Sequence, residues 1–303
     1  MMSDRPRKLL VIADDFGIGP KTSEGILHCA GIGHAISGTV LLTNTQFADH
    51  AMALLKNSNC NLLVGWHPNL TLDKPILPPA KVSTLVDNEG RFLPLDAFIA
   101  KWFFGTLDGN QIYDELEAQL FRFKQLTGAF PLIVNTHQHI AVFNPVGEKL
   151  NLLLSNYSVK PWMRRVQEEN RTFLKLSGAR IKRAFLSLLG RKNARDLDMM
   201  GFPGPKVLAG LCDPVQTSNE SFYSTRLNTI KSDFAEWMCH PGFYDETLVG
   251  RDGNIDSASI QMRSKELKFL ADGTFTRLAN QAGFEIISSA EIMGKNEAVK
   301  HVA

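Results

Sequence analysis

Short apolar runs alternate with stretches in which apolar residues recur every three or four positions, an order that predicts a parallel sheet with crossover helices. The first strand is expected at Leu9 to Ala13. After a turn containing Gly17, Gly19 and Pro20, a helix begins near Pro20, a residue suited to the first turn, and stops at Gly31 or Gly33. Thr39 to Leu42 reads as a strand, Phe47 to Leu55 as a helix and Leu62 to Trp66 as a strand. Between Pro68 and Leu95, the prolines Pro68, Pro75, Pro78, Pro79 and Pro94 leave little room for regular elements, and the stretch reads as a substrate-facing loop. Ile112, Leu116, Leu120 and Phe123 fall at helical spacing, Gly128 supplies a stop, and Leu132 to Val134 is the next strand.

Further on, Phe173, Leu176, Ile181, Phe185, Leu188 and Leu189 give a basic stretch an apolar side, which predicts an amphipathic helix or helix pair ended by Phe202-Pro203-Gly204-Pro205. Helices near Phe222 to Ile230 and Ile260 to Leu270, and strands at Ala235 to Cys239 and Phe284 to Ile287, complete the pattern. Without a fixed-period repeat or a dividing linker, one elaborated domain is expected over residues 1–294, with a helical insertion at about 160–205 and a frayed tail at 295–303.

The 303 residues, 44% hydrophobic and 21% charged, suffice for a large core. Lys and Arg total 33 against 31 for Asp and Glu, so net charge gives no reason to expect a nucleic-acid partner. The charge is unevenly spread, with 11 basic and 2 acidic residues between Lys160 and Arg195. A solvated cap over the domain is the preferred account of that segment, ahead of a dimer contact or a surface that approaches anionic or lipid-linked substrate. The four cysteines lack CxxC spacing, and the apolar run ending at Asp14 is too short for a signal sequence. A cytoplasmic setting is therefore expected.

Four apolar runs are followed directly by residues able to bind metal or move protons: Asp14-Asp15 after Ala13, His67 after Trp66, His137 after Thr136 and His240 after Cys239. In parallel α/β folds the C-terminal strand ends converge on one face, where ligands bind. A single histidine is more often an ordinary hydrogen-bonded residue, but four coincident placements favour a site. His28, His34, His50 and His301 do not share the placement.

Adjacent strand residues point to opposite faces, so for both Asp14 and Asp15 to enter a site the chain must turn there, as Gly17 allows. One carboxylate can then ligate a cation while the other serves as base. If the strand persists, Asn135, His137 and His139 share a face, one imidazole ligating while the others orient it or the substrate. Two imidazoles and one carboxylate make a three-ligand set that leaves positions open for water and substrate, and so points to metal-assisted hydrolysis.

In Ala13-Asp14-Asp15-Phe16-Gly17, Gly65-Trp66-His67-Pro68-Asn69-Leu70-Thr71, Thr136-His137-Gln138-His139 and Cys239-His240-Pro241-Gly242-Phe243 the chain resembles the YdjC-like carbohydrate deacetylases, the ChbG- and HpnK-like family. The resemblance spans most of the chain in order. It implies a distorted (β/α) barrel, TIM-barrel-like, that removes an N-acetyl group from an amino sugar, free or lipid-linked. It implies Asp15, His67 and His137 as ligands of one divalent ion, Mg2+ or Zn2+, Asp14 as general base and His240 as acid or orienting group. Where the family often has an Asp and a histidine-rich run, this chain has Asn135, Gln138 and Ala141, and Pro68 replaces an apolar residue.

Asn135 and His139 are candidate substrate contacts. Trp66 and Phe243, with Trp162 and Tyr244, are candidates to stack on sugar rings, against their commoner role as core aromatics. The expected partners are an N-acetylated amino sugar and a second copy in a homodimer; peripheral membrane contact is not favoured. The rival classes are a non-catalytic carbohydrate-binding protein on a decayed barrel and a hydrolase of another amide.

Overall fold

The computed structural model describes residues 6–32, 35–169, 180–211, 216–217, 219–251 and 258–292. Strands and helices alternate as β1 (Arg7–Phe16), α1 (Pro20–Gly31), β2 (Gly38–Leu41), α2 (Ala48–Asn57), β3 (Val64–Trp66), α3 (Leu95–Phe103), α4 (Gly109–Thr127), β4 (Ile133–Val134), α5 (Val146–Ser155), β5 (Trp162–Met163), α6 (Arg180–Met199), β6 (Val207–Ala209), α7 (Glu220–Thr229), β7 (Phe234–Cys239), α8 (Ala258–Ala271), α9 (Thr274–Gln281) and β8 (Phe284–Ile286). Every ladder is parallel, in the order β5-β4-β3-β2-β1-β7-β6, and β8 docks beside the first residues of β1. The sheet curls into a distorted (β/α) barrel with helices outside. Between its edges, the Met163 N–H donates to the Pro203 carbonyl and the Leu208 N–H to the Gln167 carbonyl, each at 2.9 Å.

The period of two along β1 sorts its residues. Leu9, Val11 and Ala13 join the core between sheet and helices, whereas Leu10 and Ile12 join Val40, Leu63, Ile133 and Trp162 in a separate apolar cluster. These six side chains fill the barrel below the strand ends, each burial contributing roughly 1.5–3 kcal/mol. Gly65 is required here, because a Cβ would come within 2.4 Å of the Ile133 carbonyl oxygen.

The strands and helices expected from periodicity are present, with shifts of a few residues at their ends. Five elements were not foreseen: α3, α5, β5, β6 and α9. The proline-rich stretch meets the site only at its ends, where the Pro68 carbonyl accepts the His137 N–H and Leu95 lines the cavity. It is pinned to α4, where the buried Glu115 carboxylate accepts the N–H groups of Ile76 (2.9 Å) and Leu77 (3.0 Å), and Gln119 exchanges hydrogen bonds with the Asn69 backbone. α4 itself starts on the Asp108 cap and ends at Gly128 in the left-handed conformation.

The basic stretch also differs from expectation. Trp162 and Met163 belong to the sheet, and the buried Arg164, Arg165 and Arg183 are counter-ions to Asp14, Asp198 and Glu168. Phe173, Leu176 and the tail from residue 295 lie outside the described residues, as do His34, His301 and Cys212. Cys29, Cys60 and Cys239 are free thiols, and no helix among the described residues is long and apolar enough to cross a membrane.

Candidate active site

Asp14 keeps the inward parity of Leu10 and Ile12 and lies directly above the apolar plug. A regular strand would turn Asp15 outward. Instead, its φ of +69° and a register shift against β2 between Ala13 and Phe16 bring both carboxylates inside, each 2% exposed. The turn demanded by the sequence thus falls at Asp15 itself, in a conformation that Asp tolerates better than most residues.

Two hydrogen bonds from Arg164, at the end of β5, hold Asp14: Nη1 to Oδ2 at 2.6 Å and Nη2 to Oδ1 at 2.8 Å. Asn135 adds an Nδ2 bond to Oδ1 at 3.1 Å. Burial alone would raise the Asp14 carboxyl, but the Arg164 guanidinium outweighs it and holds the group at about 2. Arg164 is shared with Glu236 on β7 (2.6 Å), a residue that burial pushes above the usual carboxylate range.

Asp15 has a different set of partners. Its Oδ1 lies 2.9 Å from His137 Nδ1 and 3.2 Å from His67 Nε2, and its Oδ2 accepts Nη2 of Arg263 from α8 at 2.7 Å. Burial opposes ionisation here too, yet Arg263 and His137 carry the carboxyl well below its ordinary value. Asp15, His67 and His137 each offer one donor atom, all within 4.8 Å of one another. The His67 Nδ1 meets the backbone and side-chain oxygens of Asn135, which fixes it as the N–H and leaves Nε2 as the bare nitrogen toward Asp15. This donor set suits a divalent cation.

The four residues open onto a cavity of about 540 Å³, which His139 and His240 also line. The strand ends at Val134, and His139 reaches the cavity through left-handed conformations at Gln138 and His139 rather than through continued alternation. Burial drives the His139 imidazole down to about 3, so it is neutral. The His240 ring is also lowered by burial. Its backbone N–H donates to Glu266 of α8, and its Nδ1 lies 3.9 Å from that carboxylate. Burial pushes Glu266 up to about 7. Leu95, Ile99, Phe143, Phe185, Leu211, Met238 and Met262 make the walls.

Three expected substrate contacts do not line the cavity: Asn135 is engaged with Asp14 and His67, and two aromatic residues lie elsewhere. Trp66 is fully buried and belongs to the helix-side core, since strand parity turns it away from the face that His67 reaches. Phe243 stacks near His28 on α1, with ring centroids 5.8 Å apart, and does not line the cavity. Trp162 is part of the interior plug. Conversely, Arg164, Glu236, Arg263 and Glu266 were not singled out from sequence. Arg164, Arg263 and Glu266 occur inside ordinary basic or amphipathic stretches and Glu236 inside an apolar strand; only the buried neighbours Trp162 and Met163 hint that Arg164 points inward.

The YdjC-like protein family profile matches residues 8–281. The chain belongs to that family. A chitooligosaccharide deacetylase from Serratia marcescens is 26% identical over 286 residues, 91% of this chain and 96% of that one. A carbohydrate deacetylase from Danio rerio is 34% identical over 152 residues, 50% of this chain and 48% of the relative, so the chain matches about half of that protein's length. Among solved structures of similar fold is an Enterococcus faecalis V583 protein described as a cellobiose-phosphate cleavage protein. It has a TM-score of 0.73 and 21% identity, covering 95% of this chain and 99% of that one. The YdjC-like architecture is thus shared along almost the whole chain.

Proposed function

We infer that this YdjC-like chain is a metal-dependent hydrolase that removes an N-acetyl group from an amino sugar. Asp15, His67 and His137 would hold one divalent ion, and Asp14 would act as base. The observation that carries this reading is the buried convergence of three donors from three strand ends, beside a second carboxylate outside the set. The names of the Serratia marcescens and Danio rerio relatives support the amide of an acetylated sugar as the substrate class.

When bound, the ion would polarise the acetamide carbonyl and lower the pKa of an adjacent water. Arg164 and Asn135 occupy three of the four acceptor positions of the Asp14 carboxylate, leaving one on Oδ2 for the attacking water. Arg164 keeps Asp14 ionised and fixes its orientation, at some cost in basicity. Burial lowers the proton affinity of His240, so its neutral ring would orient the departing amine, which takes the proton that Asp14 has removed from the water. The apolar walls suit the acetyl methyl and the flat faces of a sugar.

Elemental analysis of the purified protein, followed by acetate release from N-acetylated mono- and oligosaccharides with added Mg2+ or Zn2+, tests the reading. Stoichiometric metal and acetate release are expected. Metal without acetate release from any acetylated sugar would leave only a binding protein on this barrel.

A further inference from the structure

Two helices flank the cavity mouth, and both carry large apolar side chains outward. On α6, Lys182, Phe185 and Leu186 line the cavity, while Ile181, Phe185 and Leu188 are 88%, 42% and 65% exposed. Those three fall at i, i+4 and i+7, so they form one outward stripe, which continues into Lys192 and Arg195 two turns on. On α3, Leu95 and Ile99 line the cavity; Phe103 continues their row one turn further and, with Phe104, is 75% exposed. The Phe103 and Phe104 rings pack on each other at 5.5 Å. Phe143 also lines the cavity, its ring packed against Trp102 and Phe98 of α3. Apolar groups are thus displayed around the entrance on two separate elements, which is uncommon for surface aromatics scattered singly.

The charge beside this rim is predominantly of one sign. Arg180, Lys182, Lys192 and Arg195 are exposed on α6. Of the acids on that helix, Asp198 is engaged by Arg165 and Lys206, and Asp196 lies 3.6 Å from Lys192, which also meets Glu148 of α5. A second copy of the chain meeting the same patch about a two-fold axis would set like charges against each other. An anionic surface with an apolar interior satisfies both features, as it does for amphipathic helices that lie in a membrane interface. Sequence alone favours a solvated cap for this segment; the exposed apolar side chains of Ile181 and Leu188 motivate the membrane-facing alternative.

We propose that the cavity mouth docks on an anionic lipid surface. Ile181, Phe185, Leu188, Phe103 and Phe104 enter the headgroup layer, and the exposed Lys182, Lys192 and Arg195 of α6 face the lipid phosphates. The cavity then opens directly onto the bilayer; the docking does not depend on the hydrolase reading above.

The test is co-sedimentation of the full, metal-loaded protein with phosphatidylglycerol and phosphatidylcholine vesicles, alongside vesicles of phosphatidylcholine alone. Binding to the anionic vesicles, weakened by salt, is expected. In Ile181→Ser/Leu188→Ser and Phe103→Ser/Phe104→Ser it falls by roughly tenfold or more, while acetate release from a soluble acetylated oligosaccharide stays within about twofold. No binding by the unaltered protein, or equal binding by both double variants, overturns the proposal. So does a dimer in light scattering that both variants convert to monomer, since the patch is then the contact with a second copy. Vesicle binding without acetate release from any acetylated sugar, soluble or lipid-borne, removes the hydrolase reading and leaves docking standing; acetate release without vesicle binding does the reverse.

Discussion

Asp14 and Asp15 are neighbours in the chain and equally buried, yet they belong to different halves of the site. Asp14 is clamped by one guanidinium and an amide, with no imidazole at bonding distance among the described residues. Asp15 bridges two imidazoles and takes its guanidinium on the opposite oxygen. Both are held ionised against burial, one by β5 and the other by α8. The comparison teaches that the role of a carboxylate is set by what its second oxygen is left to do. On Asp14 a lone pair remains for a proton, whereas the inner oxygen of Asp15 is aimed at the same point as two nitrogens.

The sharpest way to break this contrast is to remove each charge in turn. Asp15→Asn is expected to cut bound metal per chain by at least about tenfold and to abolish acetate release. Asp14→Asn is expected to retain the metal while lowering kcat by about 10²–10⁴-fold. Equal metal loss in both variants, measured by elemental analysis, would erase the distinction.

The two arginines offer a second comparison, read by urea unfolding. Arg164→Gln leaves Asp14 and Glu236 buried without their shared cation and should cost about 3–5 kcal/mol. Arg263→Gln removes one charged hydrogen bond from an Asp15 that keeps its histidines, and should cost about 1.5–3 kcal/mol. The reverse order would mean that Asp15, not Asp14, depends more on its guanidinium.

Glu266 supplies the contrasting case of a buried carboxylate with no guanidinium hydrogen bond among those described. Its pKa rises from the ordinary 4.5 to about 7, so the folded protein holds this proton more tightly than the unfolded chain does. The associated stability is fully present below pH 4.5 and is lost as pH rises through about 7. The shift corresponds to about 3 kcal/mol. Glu266→Gln should flatten that decline in urea midpoints between these pH values; an unchanged slope would assign the titration to another group. The smallest effect is expected at Phe243→Ala, which should leave KM for a soluble acetylated oligosaccharide within about twofold, because this ring packs on α1 instead of lining the cavity.

Residues whose position follows from a strand end were legible in the chain. Asp14, Asp15, His67, His137 and His240 each directly follow an apolar run or lie at its end, and parallel strands bring such ends together. The groups that tune them were not legible, because their meaning depends on contacts between distant elements. Arg164 stands in a basic stretch that periodicity assigns to a surface helix, and its burial follows from a strand only two residues long. Arg263 and Glu266 read as routine charges of an amphipathic helix, and only packing shows that they face inward. Trp66 illustrates the converse error: proximity to a motif in sequence says little about direction when parity flips at every residue. α3 begins where the proline-rich stretch ends, and no element is predicted for its residues from sequence.

The apolar plug beneath Asp14 has a consequence for traffic. Leu10, Ile12, Val40, Leu63, Ile133 and Trp162 make the barrel a vessel with a closed bottom. In the proposed reaction, acetate forms at the deep end, against the metal ligands, while the sugar occupies the space toward the rim. The two products therefore share one exit and leave in sequence, the larger first, so that the sugar acts as the stopper on its own by-product.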